Sequence, residues 1–245
     1  MRKSRKLFWR LSIAALLITG AAICAAAQTV PPVKHNTREQ AETADTAPTK
    51  VNVAIDEARY FYEFKQPEFF ISHIIIEHDA VGNGTVSFKR KGVDDLIVEP
   101  LVFSSASRAR VFGLWEALRF LESDVDYQSD KQYPHLGTMF LRMTRGAQMR
   151  SVKFNWTHDP NAEALAKEYR RAADQAIFIF DINLARENQP LNAPKLMDQL
   201  ETMLKLNSLS DPKQLVPLLR EVYMDERIPL IARNHAERII KKIEK

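Results

Sequence analysis

The stretch DPNAEALAKEYRRAADQAIFIFDINLARE, residues 159–187, decides the fold. Asp159 followed by Pro160 is a helix start, a capping side chain with a proline preset for the first turn. Behind it Leu165, Ala166, Tyr169, Ala172, Ala173 and Ala176 recur at helical spacing and form one apolar stripe opposite charged residues. From Ile177 the stripe continues through Phe180 and Leu184, while Phe178, Ile179 and Ile182 stand on the opposite side. A helix that is amphipathic at first and apolar nearly all round later must be covered on one side and then on two. A sheet beneath it and a helical tail above its far end meet that demand.

The residues on either side supply both. Upstream, Tyr60, Tyr62 and Phe64 alternate with Phe61 and Glu63 in an aromatic strand. Phe69 to His78, with Ile71, Ile74, Ile75 and Ile76, reads as a strand that turns at Asp79–Gly84 and returns over Thr85 to Lys91 with Val86 and Phe88 on one face. Leu96 to Phe103 follows, with Pro100 expected to end or bulge it. Ser104 and Ser105 then cap a helix striped by Val111, Leu114, Trp115, Leu118 and Leu121. After a polar loop from Ser123 to Leu136, two alternating segments, Gly137 to Thr144 and Met149 to Thr157, place Met139, Leu141 and Met143 on a face with Val152, Phe154 and Trp156. Downstream of Asn188-Gln189-Pro190 come three short amphipathic helices, near Ala193–Leu206, Pro212–Met224 and Pro229–Ile243. The fold class is therefore α+β: an antiparallel sheet of about five strands covered by two amphipathic helices, followed by a three-helix C-terminal tail.

The first residues have a different character. A basic segment, Met1 to Arg10, precedes the apolar run Leu11 to Ala27 and the small residues Ala25-Ala26-Ala27, the layout of a secretory signal peptide over residues 1–27. An uncleaved N-terminal membrane anchor is the alternative. Residues 28–57, with Pro31, Pro32 and Pro48 among Thr, Glu, Ala and Asp, read as a disordered linker. The sheet domain with its central helix is assigned to residues 58–187, and the tail packed on that helix to 188–245. Arg2, Lys3, Arg5, Lys6 and Arg10 lie in the signal, so its removal takes the formal net charge from +4 to −1. The mature chain then has no global electrostatic case for nucleic acid, and it loses Cys24, the only cysteine. It has no membrane span in this reading, and its location is secreted or periplasmic.

Two resemblances follow from this order of elements. A hairpin with a Gly-rich turn, a third strand, a helix ending in Leu118-Arg119-Phe120-Leu121, a second hairpin and a second helix resemble the small exported bacterial ββαββα domains of unknown function. The likeness spans roughly Glu68 to Ile177, with Trp115, Phe120, Gly146, Val152 and Phe154 near expected apolar or turn positions, and it implies no catalytic residue. At the C terminus Leu215-Val216-Pro217-Leu218-Leu219, Asp225, Ile231-Ala232-Arg233, Ala236 and Ile239-Ile240 are similar to one HEAT-type helical pair, a unit of protein-binding scaffolds. The same residues also make an ordinary helical hairpin.

One polar group assembles from the expected geometry. His135 enters the second hairpin and His158 leaves it, so antiparallel pairing puts both at one end, beside Asp159 and the loop carboxylates Asp124, Asp126 and Asp130. Asp124, Asp126, His135, His158 and Asp159 are the candidate ligands of a divalent metal ion. Against this, the loop lacks the glycine of a calcium site, Asp159 is already a helix cap, and no two histidines have zinc spacing. His78-Asp79 reads as a turn-forming aspartate after a strand, His73 as a half-buried sheet residue and His235 as a core histidine of the last helix. No catalytic or cofactor-binding residue is assigned. The expected function is that of an exported non-enzymatic module binding a protein or an envelope component, by an open sheet face, the acidic loop or the tail. The alternative is a metal-assisted hydrolase at the end of the second hairpin.

Overall fold

A computed structural model describes residues 57–245; the expected signal peptide or anchor and the linker up to residue 56 lie outside the described residues. The chain forms β1 (Arg59–Lys65), β2 (Ile71–Asp79), β3 (Asn83–Arg90), β4 (Ile97–Val102), α1 (Ser105–Ala117), β5 (Thr138–Arg145), β6 (Gln148–Phe154) and α2 (Pro160–Asn188). The tail adds α3 (Ala193–Lys205), α4 (Val216–Met224) and α5 (Leu230–Ile243). The six strands make one antiparallel sheet in the order β4-β3-β2-β1-β5-β6, so the α+β architecture holds with six strands rather than about five.

The aromatic strand β1 is central. Tyr60, Tyr62 and Phe64 face the core and sit opposite His78, Ile76 and Ile74 of β2 on one side and Met143, Leu141 and Met139 of β5 on the other. Phe154 and Val86 extend this inner face, and α1 and the first half of α2 cover it with Val111, Trp115, Leu165, Tyr169 and Ala173. Tyr62 stacks on Tyr169 at 4.9 Å between ring centroids. Trp156, expected in this core, is 38% exposed, because β6 ends at Phe154 and the chain leaves the sheet before the next inward position.

β4 runs through Pro100, which pairs with Thr85 instead of ending the strand. A proline survives there because β4 is an edge, where no ladder partner needs its missing N–H. Gln214 Nε2 from the tail donates to Val102 O on the same strand, at 3.0 Å. The polar loop before β5 is also held: Tyr127 is buried near Phe120 and Phe154, Arg150 donates to Phe120 O and Val125 O, and Ser129 N donates to Trp156 O. Gly84 in β3 lies so close to β2 that a Cβ would come within 1.8 Å of Glu77 O.

α2 spans 29 residues, about 44 Å at 1.5 Å per residue, whereas strands of 7 to 9 residues reach only about 24–31 Å. The overhanging half carries a second core. Phe178 and Ile182 are fully buried with Met197, Leu200, Leu215, Leu219, Ala236 and Ile239, while Ile177 and Phe180 belong to the sheet side. Leu184, expected on the sheet side, is 44% exposed. Polar side chains of α2 mark the junction of the two cores. Glu168, 7% exposed, accepts from Arg110 Nε of α1 at 3.0 Å and from Arg171 Nη1 at 2.6 Å, and Arg110 Nη2 donates to Ser210 O. Gln175 Oε1 accepts from Asp211 N at 2.9 Å.

Arg119, just beyond α1, has φ +45° and closes the helix with its N–H on Glu116 O. This left-handed position favours glycine. Arg119→Gly is expected to stabilise the fold by about 1 kcal/mol in urea titration. Phe178→Ala, which empties the second core, is expected to cost about 3–5 kcal/mol in the same assay.

Candidate functional site

The five residues read as a metal set are not brought together. Asp159 is occupied as the N-cap of α2, its Oδ1 accepting from Asn161 N and Ala162 N at 2.9 Å each. Asp126 Oδ1 accepts from Gln128 N within its own turn, and Asp124 is exposed. His135 sits edge-on to Tyr133 at 6.0 Å between centroids. His158 Nε2 is 3.9 Å from Asp130 Oδ1, and both side chains are largely exposed. Among the described residues no group of three His, Cys, Asp or Glu side chains is placed to hold a metal ion. Pairing did align the two strand ends, since Met139 stands opposite Phe154, but the turns and the cap use the carboxylates locally.

A different histidine stands in a buried polar relay. His78, 2% exposed at the end of β2, is stacked on Tyr60 with centroids 4.9 Å apart. Its Nδ1 lies 2.9 Å from the carbonyl of Asp79, which can only accept, so Nδ1 carries the proton and Nε2 is the acceptor. Nε2 therefore accepts from the Tyr169 hydroxyl at 2.7 Å, and that oxygen accepts from Trp115 Nε1 at 2.8 Å. Direction is fixed along the whole chain, and each polar atom in it has its partner. Asp79 itself turns the hairpin: its Oδ1 accepts from the N–H groups of Val81, Gly82 and Asn83. The relay joins β2, α1 and α2 inside the core, and a cavity of about 440 Å³ lies beside it, lined in part by Tyr60, Glu77, His78 and Arg142.

Burial pushes the His78 pKa down from 6.5 to about 4, opposed by its bond to the Asp79 carbonyl. A protonated ring would aim Nε2–H at a hydroxyl already accepting from Trp115 and leave the hydroxyl proton without an acceptor. His235 is largely buried on the last helix, as expected, and is paired there. Its Nδ1 and Nε2 lie 3.4 Å and 3.2 Å from Asp198 and Glu201, linking α5 to α3.

The second surface of note is the outer face of the sheet. Among the described residues no helix lies on it. Phe61 and Phe140 meet there edge to face at 5.7 Å, next to the half-buried Ile75. Arg142 lies over the Phe61 ring at 4.3 Å, and Glu63 is shared between His73 at 2.7 Å and Lys65 at 2.6 Å. Val98, Val102 and Met149 are 57%, 61% and 69% exposed at its borders.

No known protein family matches this chain, and no curated protein is similar to it. No helix among the described residues is long and apolar enough to cross a membrane. Fold and surface define an α+β chain whose sheet is covered by helices on one side.

Stability is expected to depend on pH through His78. Its folded pKa is depressed, so the neutral ring stabilises fully above about pH 6.5, and this contribution is lost as pH falls toward about 4. The loss amounts to roughly 3 kcal/mol. Urea titrations between pH 7 and pH 4 should show a shallower dependence in His78→Phe than in the native chain. Tyr169→Phe, which strands Trp115 Nε1 and His78 Nε2, is expected to cost about 2–4 kcal/mol at pH 7.

Proposed function

We propose that this chain is an exported, non-enzymatic interaction module that docks a protein or other cell-envelope component on the open face of its sheet. The observation that carries the reading is the composition of that face. A solvated face of an antiparallel sheet is ordinarily polar, yet Phe61, Ile75 and Phe140 gather at the centre of this one. Glu63 stands among them on β1, between Ile75 and Phe140, and is engaged by Lys65 and His73; Glu77, Lys65, Lys89, Arg142 and Lys153 form a rim of mixed charge. An apolar centre within a charged rim is the layout of a protein interface. The basic and apolar N-terminal segment ending in Ala25-Ala26-Ala27 supports export.

The test is affinity capture from the envelope fraction with the mature chain from Gln28 onward, compared with Phe140→Glu/Met149→Glu on the open face and Leu206→Ser on the tail. The double variant is expected to lose its partner while keeping the native thermal transition, and Leu206→Ser, altering a side chain 73% exposed, to retain it. Equal capture by the double variant would remove the open face from the interface.

A further inference from the structure

A groove of about 470 Å³ lies where the β2–β3 end of the sheet meets the junction of α2 and α3. That volume is within the range of small-molecule sites, roughly 300–1,000 Å³. Its one large exposed ring is Phe70, 69% accessible, with the Arg90 guanidinium 5.7 Å from the ring centroid. Arg90 is at the same distance from Phe88 and Phe180 and is ion-paired with Asp181. The two charges on the floor therefore neutralise one another. Leu184 and Leu196 add apolar wall.

The rim is made of carboxamides: Asn188, Gln189, Asn192 and Gln199. Their mutual bonds leave much of their capacity open. Asn188 Nδ2 donates to Leu184 O at 3.2 Å, and Asn192 Nδ2 donates to Gln189 Oε1 at 2.6 Å. Asn188 Oδ1, Gln189 Nε2, Asn192 Oδ1 and both ends of Gln199 have no side-chain partner among the described residues. Carboxamides present a donor and an acceptor side by side, the pairing that a hydroxyl, itself donor and acceptor, can satisfy at both ends. Lys195 at the rim adds three further donors.

We infer that this groove binds a neutral saccharide, one sugar ring lying on Phe70 and its hydroxyls bonding the carboxamides. A pyranose has an apolar C–H face and a rim of hydroxyls, which matches an exposed ring beside donor–acceptor amides and a neutralised ion pair. A formally charged ligand would gain little from Arg90, which Asp181 already engages. This site is separate from the open sheet face, so it stands whether or not that face binds a partner.

The experiment is NMR titration of the isotopically labelled mature chain with three soluble probes, the tetrasaccharides of N-acetylglucosamine, glucose in α-1,4 linkage and glucose in β-1,4 linkage, and with tetra-alanine. At least one sugar is expected to shift the amides of Phe70, Asn192 and Gln199 in a saturable way. Phe70→Ala and Gln199→Ala should each weaken that binding about tenfold or more, and Phe70→Trp should preserve it. Both positions are exposed, so neither change touches a core, and Phe61→Ala on the open face should leave sugar affinity unchanged. The inference is overturned if no sugar shifts these residues, if Phe70→Ala and Gln199→Ala bind as the native chain does, or if tetra-alanine binds there and the sugars do not.

Discussion

The burial of α2 on two opposite sides is the constraint on which the rest of the structure depends. The helix is longer than the sheet is deep, so its second half would present Phe178, Ile179 and Ile182 to water if the chain stopped at the sheet domain. At about 25 cal/mol per Å² of apolar surface, such a face is costly to expose. The three tail helices exist as a cover for it, and their own apolar stripes are buried by the same contact. One helix is thus a wall of two cores, which makes the tail part of the folding unit rather than an appendage.

The junction between the cores explains the polar residues buried in α2. Glu168 would be expensive alone, but two arginines reach it, and Arg110 continues to the carbonyl of Ser210 in the tail. Gln175 repeats the device against Asp211. These bonds fix how far the tail can slide along the helix, a setting that apolar contact does not provide because it has no direction.

Much of this was legible in the residues. The change of coat at Ile177, the hairpins and the three tail stripes all follow from periodicity, and periodicity reports which faces are buried. Strand neighbours were not legible: nothing local says that β5 joins β1, and the central place of β1 becomes evident only when Tyr60, Tyr62 and Phe64 find partners on both sides. Trp156 departs from the alternation because β6 ends at Phe154, one step before the next inward position. The metal set is not gathered among the described residues for a related reason, since chain ends brought near by pairing do not thereby aim their side chains at one point. In the sequence His78 is explained by its neighbour Asp79; its bonds run to residues far along the chain in the α1 and α2 helices, and sequence spacing carries no trace of them.

Pro100 has a consequence for how copies of this molecule meet. An outermost strand with a free ladder invites a second strand, and once one copy has added, the new border invites another. Here that border lacks one N–H at Pro100, and the carbonyl of Val102 is taken by Gln214. Growth of the sheet into a fibre is blocked on that flank by two covalently simple devices. What reaches this side of the protein meets a backbone ladder interrupted at two points, so that side chains, whose chemistry can discriminate, weigh more there than backbone, whose chemistry is the same in every polypeptide.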